Sequence, residues 1–213
     1  RGVHMAENIR IENGLVIGTA GNKYELKNPI ARWLIRGFDT AVSELAAQAA
    51  PRTILEVGCG EGHIVQLLLE ATSAQIHATD ISPTCIADAK ANVSSERVTF
   101  GVENVMTIGP PSVAPDMVVC CEVLEHLEDP REGLKALLAL RANTYLLSVP
   151  REPLWRILNF SRGAYMKDWG NSPGHLQHWS KRSFLNLISE HLTPIAVRSP
   201  IPWTVVLCRP NGR

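Results

Sequence analysis

Apolar residues along this chain switch between two periods, and the order of the switches outlines an architecture. From Asn28 to Ala50, Ile30, Trp33, Leu34, Phe38, Ala41, Val42 and Leu45 recur at helical spacing. This predicts one amphipathic helix, with Asn28 as cap and Pro29 in its first turn. Short apolar runs of strand length follow at Ile54 to Val57, Gln75 to Thr79, Arg97 to Val102, Asp116 to Cys121 and Thr144 to Val149. Between them lie helical stretches. Ile64, Val65, Leu67, Leu68 and Leu69 form one apolar face, Ser82-Pro83 opens a helix to Asn92, and Asp129-Pro130 caps another over Arg131 to Leu140. Strand alternating with helix predicts an α/β domain with a buried parallel sheet.

Both ends depart from that alternation. Ala6 to Lys27 holds Gly14, Gly18 and Gly21 without a sustained period, which predicts loops with at most a short hairpin. Met5 is taken as the start of the fold, Arg1 to His4 lying outside it, and 5–50 as an N-terminal segment ahead of a main domain at 51–213. Pro150 to Pro173 is an insert that a minimal alternating fold does not need. Ser180 then caps a helix over Lys181 to His191, and Ile195 to Ser199 with Thr204 to Cys208 predict a terminal hairpin turning at Pro200 and Pro202.

Composition narrows the classes. A chain of 213 residues buries roughly 70% of its unfolded surface, so a core forms without disulfides or metal. Lys+Arg and Asp+Glu both number 21, which leaves no net field to draw in nucleic acid, and no nucleic-acid partner is expected. The five cysteines, at 59, 85, 120, 121 and 208, have no CxxC or metal-ligand spacing and read as reduced core residues, which points to the cytoplasm. No apolar run reaches the roughly 18 residues of a membrane span, and no signal-peptide segment is evident. Nothing distinguishes a monomer from a homodimer.

The chemistry concentrates in Thr53 to His63, T-I-L-E-V-G-C-G-E-G-H. A strand ends in Gly58-x-Gly60-x-Gly62 and a helix follows. Glycines let the backbone approach a ligand, and the helix start offers N–H groups to an anionic one. The dinucleotide fingerprint needs glycine or alanine where His63 stands, and its pyrophosphate fits poorly beside Glu56. Glu56 instead suits a positively charged amino group. Asp80, at the tip of the next strand, suits ribose hydroxyls, or else simply caps the turn before Pro83.

L-E-V-G-C-G-E-G-H, A-T-D-I-S and C-E-V-L-E-H-L, in this order and spacing, resemble the class I S-adenosylmethionine-dependent methyltransferases of small-molecule type, similar to the methyltransferases of ubiquinone and menaquinone biosynthesis. The resemblance covers roughly Arg52 to Pro150 well and the rest loosely. It implies a Rossmann-like, seven-stranded, mostly parallel sheet with an antiparallel last strand, helices on both faces and a helical lid. It also implies S-adenosylmethionine as cofactor and in-line methyl transfer to a small-molecule acceptor such as a quinone, lipid or secondary metabolite. The cofactor contacts it implies are Glu56, Gly58, Cys59, Gly60, Gly62, Asp80, Ile81 and Glu122. Either Glu103 or Asn104 matches the usual acidic adenine contact.

For the acceptor, the insert supplies aromatic and basic residues, of which Trp155, Tyr165 and Trp169 are substrate-binding candidates together with Tyr24, unless these aromatics only form the core of a small subdomain. His178, ahead of His175, is the candidate general base, since its ordinary pKa lies near working pH. His126 reads as a packed or capping group. His175 and His178 form HxxH without a third ligand at suitable spacing, so no metal is expected. The rival readings are a nicotinamide oxidoreductase, disfavoured by His63 and Glu56, and a non-catalytic cofactor-binding module.

Overall fold

Asn28 opens the first long element as its position predicts. In the computed structural model, which describes residues 10–12, 15–17, 28–161 and 175–212, its Oδ1 accepts the Ile30 N–H at 2.9 Å. Helix α1 (Pro29–Ala49) follows and stops at Ala50, whose left-handed backbone returns its N–H to Ala46 and Ala47. Ahead of it, β1 (Arg10–Glu12) and β2 (Leu15–Ile17) form the short antiparallel hairpin that the glycine-rich start allowed for.

The alternation then runs β3 (Thr53–Val57), α2 (His63–Ala71), β4 (Gln75–Asp80), α3 (Pro83–Asn92), β5 (Val98–Val102), β6 (Met117–Cys121), a 3₁₀ turn at Leu124–His126, α4 (Pro130–Ala139), β7 (Thr144–Pro150), α5 (Leu154–Ser161), α6 (Lys181–Ser189), β8 (Leu192–Arg198) and β9 (Trp203–Pro210). The caps are those read from sequence. Ser82 Oγ accepts from Cys85, Asp129 from Arg131 and Glu132, and Ser180 from Ser183.

The seven-stranded sheet has the order β5-β4-β3-β6-β7-β9-β8. Pairing is parallel from β5 to β7. Only β9 runs against its neighbours, lying between β7 and β8 and antiparallel to both. Period-two alternation divides the core. Ile54, Ile76, Met117, Val119, Leu146, Val205 and Leu207 meet α1, α2 and α3 on one face, and Leu55, Val118, Cys120, Tyr145, Leu147 and Val206 meet α4 and α6 on the other. Helix α1 is therefore part of the layered core along Phe38, Ala41, Val42, Leu45 and Ala46, with the Phe38 ring 5.0 Å from that of Trp203.

Two boundaries moved. Helix α6 stops at Ser189, and β8 begins at Leu192, three residues earlier than predicted. Pro194 concealed that start. It is tolerated because β8 is an edge strand, and the register shifts there. Among the described residues, no helix is long and apolar enough to cross a membrane.

The order places the site. The chain leaves β3 in one direction toward β4 and β5 and returns on its other side with β6, so a crevice opens beyond the carboxyl ends of β3 and β6. The glycine turn follows β3 and Glu122 follows β6.

Candidate active site

The turn after β3 is built around close approaches. Gly58, Gly60 and Gly62 have φ of 83°, 52° and 91°. A Cβ on Gly58 would lie 2.3 Å from Val123 Cγ2, so the segment just after β6 packs directly on the glycine. A Cβ on Gly60 would meet nothing within 4 Å, which leaves open space over that peptide. The turn is tied to β4, since Gly58 N and Cys59 N donate to Thr79 O at 2.8 and 2.9 Å. Cys59 is buried, and burial raises its thiol pKa, so it is a packing residue rather than a thiolate.

Asp80 sits over this turn. Its Oδ2 accepts from Gly60 N and its Oδ1 from Ser82 N, both at 2.9 Å. It thus caps the next turn and orders the glycine turn as well, and each oxygen keeps a further lone pair for a ligand. Burial raises its pKa against the lowering effect of those two N–H donors. Ser82 Oγ in turn donates to Glu12 of the N-terminal hairpin. Ile81 beside it is exposed, an apolar surface at the crevice edge.

Glu56 is the group that the fold leaves unanswered. Its side chain is 1% exposed, and neither carboxylate oxygen has a hydrogen-bond partner among the described residues. Burial, with the charge of Asp80 nearby, pushes the carboxyl up to about 8. A buried carboxyl without donors is unfavourable unless a ligand supplies them. Open space at Gly60, two free lone pairs on Asp80 and an unmatched acid at Glu56 fit a ligand carrying a cationic amine and a hydroxylated nucleoside.

The adenine candidates separate. Glu103 turns toward His77, with Oε1 3.4 Å from Nε2, whereas Asn104 Oδ1 accepts from Met106 N in a local turn. His63, at the first position of α2, pairs with Asp39 of α1 at 2.8 Å and so ties α1 to the start of the helix beyond the glycines. Asp39 was not singled out from sequence, because a lone acid on a helix face carries no local signal.

Beyond β6, Glu122 has a positive φ of 60°, unusual for a side chain with a Cβ. Its carboxylate accepts from Ser148 Oγ at 3.1 Å and Trp203 Nε1 at 2.8 Å, two partners that sequence reading missed. Trp155 stacks on His175 and meets Trp203 edge-on, with ring centroids 5.6 Å from each, and His126 meets His175 edge-on at 5.0 Å. His175 thus groups with His126 and the buried Glu125, residues distant from it in sequence, all three offering ligand atoms within 4.8 Å of one another. His178 lies 3.5 Å from Glu152 Oε1. The remaining acceptor candidates Tyr24, Tyr165 and Trp169 lie outside the described residues.

A family model described as a methyltransferase domain matches residues 30–191. The ubiquinone biosynthesis O-methyltransferase, mitochondrial, of Schizosaccharomyces pombe is 37% identical over 91 residues, 41% of this chain and 33% of that protein. The chain spans about a third of the length of the first curated relatives it matches. Among solved structures, the small RNA methyltransferase HEN1 aligns with a TM-score of 0.68 at 19% identity, over 84% of this chain and 25% of that one. The N-methyltransferase NodS from Bradyrhizobium japonicum WM9, in complex with S-adenosyl-L-homocysteine, aligns with a TM-score of 0.65 at 17% identity, over 87% and 89%. At these identities the structural likeness concerns the fold.

The state of Glu56 sets a pH dependence. Its folded pKa lies above the unfolded range near 4.5, so the ligand-free fold binds the proton more tightly than the unfolded chain does. Its contribution is complete at low pH and is lost as pH rises from about 5 to 8, at up to about 1.4 kcal/mol per unit. Denaturant titrations across that range are expected to give a steeper fall in stability for the wild type than for Glu56→Gln, and parallel curves would contradict the assignment.

Proposed function

Because the chain belongs to the methyltransferase-domain family, we propose that it transfers a methyl group from S-adenosylmethionine to a small-molecule acceptor. The observation that carries this reading is the buried Glu56 carboxyl beside the open Gly60 turn and Asp80. When bound, the cofactor supplies an activated methyl group, so the protein has mainly to bind, orient and exclude water. Glu56 receives the ammonium of the methionine end, and its burial makes that contact strong. Asp80 takes the ribose hydroxyls on its free lone pairs while its N–H contacts hold it still. Gly58 and Gly60 keep the floor low enough for the nucleoside, Ile81 flanks the adenine, and Glu103 or Asn104 meets its edge.

Glu122, held by Ser148 and Trp203, borders the crevice where the methyl group would lie, with Trp155 alongside. The absence of net charge on the chain and the biosynthetic role in the name of the Schizosaccharomyces relative favour a small molecule over nucleic acid. Where the acceptor atom carries a proton, His178 removes it, with Glu152 steadying the imidazolium that forms.

Calorimetry tests the cofactor. S-adenosylhomocysteine is expected to bind and NADH not to, with Glu56→Ala and Asp80→Ala each weakening binding by about 10- to 100-fold, the worth of a charged hydrogen bond. NADH binding without S-adenosylhomocysteine binding would overturn the reading. For the base, His178→Ala is expected to lower kcat by roughly 100-fold or more on a protonated acceptor while KM changes little, and an unchanged kcat removes His178 from the mechanism.

A further inference from the structure

The N-terminal hairpin meets the crevice through Glu12, the last residue of β1. Its Oε2 accepts from Ser82 Oγ, just beyond the carboxyl end of β4. Ser82 is 2% exposed. Its single hydroxyl proton goes to Glu12, while the oxygen caps α3 by accepting from Cys85 N at 3.1 Å. Ser82 N donates in turn to Asp80 Oδ1, and Asp80 Oδ2 accepts from Gly60 N. An unbroken line of hydrogen bonds therefore runs from the hairpin to the glycine turn.

Docking of a hairpin does not by itself account for this placement. Glu12 is half-buried and stands near a second acid. Burial first, and then the charges of Glu61 and Glu12, raise the Asp80 carboxyl. Among the described residues no Lys, Arg or His pairs with Glu12. Acids gathered at low exposure are unfavourable for the free protein, and an apolar residue at position 12 would hold the hairpin without that repulsion.

We infer that Glu12 is a positioning residue of the cofactor site, the point at which the β1–β2 hairpin straps the ribose end of the crevice. The inference rests on the S-adenosylmethionine reading. A ribose bound there places two O–H donors against Asp80, which offsets the repulsion that Glu12 meets in the free protein. The Glu12–Ser82 bond is then stronger with ligand than without it, so the hairpin closes on the nucleoside and slows its escape. In the other direction, the bond keeps Ser82 N on Asp80, and the remaining lone pairs of that carboxylate stay aimed at the hydroxyls. The coupling is reciprocal: the ligand tightens the hairpin by the factor by which the hairpin tightens the ligand.

Hydrogen exchange of the full chain, followed by mass spectrometry with and without S-adenosylhomocysteine, reads the strap, and calorimetry reads the affinity. Saturating ligand is expected to slow exchange in β1 and β2 by about 10-fold, the worth of one hydrogen bond. Glu12→Ala is expected to abolish that slowing and to weaken S-adenosylhomocysteine binding by about 10-fold. Glu12→Gln keeps an oxygen that accepts from Ser82 and is expected to restore most of both. Without ligand, both variants are expected to share the wild-type thermal midpoint, because Glu12 lies outside the layered core. Equal affinity in Glu12→Ala and wild type, hairpin exchange that ignores the ligand, or a loss that Glu12→Gln does not recover overturns the strap and leaves the cofactor reading standing. A wild type that binds no S-adenosylhomocysteine overturns both.

Discussion

A carboxyl group buried near the end of β3 is the constraint to which the rest of the site answers. Glu56 shares a sheet face with Ile54 and lies beside parallel neighbours on both sides, in surroundings that supply no hydrogen-bond donor to it among the described residues. Such a group is unfavourable for folding and useful for binding, because a cationic ligand recovers what burial cost. The fold tolerates it through rigidity nearby. The glycine turn is bonded to Thr79, Asp80 is held by Gly60 and Ser82, and Val123 packs on Gly58.

Strand order converts that local feature into a two-sided crevice. The reversal at β3 brings the turns after β3 and β6 together, one with groups suited to a cofactor and the other with Glu122, Glu125 and His126. The antiparallel β9 contributes more than sheet width. Inserted beside β7, it places Trp203 so that its indole fixes Glu122 and its ring supports Trp155.

Much of this is legible in sequence where the signal is local. Helix caps at Asn28, Ser82, Asp129 and Ser180, the glycine turn, and the alternation of strands with helices all follow from neighbouring residues, and the structure reproduces them. What escaped depends on contacts between distant segments. The Asp39–His63 pair requires α1 to lie across α2, and the Glu122–Trp203 bond requires the last hairpin to return beside β7. His175 shows the limit most clearly. In sequence it stands only as a second candidate base behind His178, whereas the fold pins its segment to the turn after β6 and gives it Glu125 and His126 as company. The early start of β8 was hidden by Pro194, whose meaning depends on whether the strand is an edge.

On the proposed reading, Glu56 is held protonated in the free protein and becomes the carboxylate that receives the cofactor's ammonium. Binding then has to release a proton. Calorimetric titration of S-adenosylhomocysteine near pH 7, in buffers of different ionisation enthalpy, measures that proton directly. Release of about one proton by the wild type and of none by Glu56→Gln is the predicted result, given a free-state value of about 8. Tight binding with no proton released, or with equal release by both proteins, would contradict it.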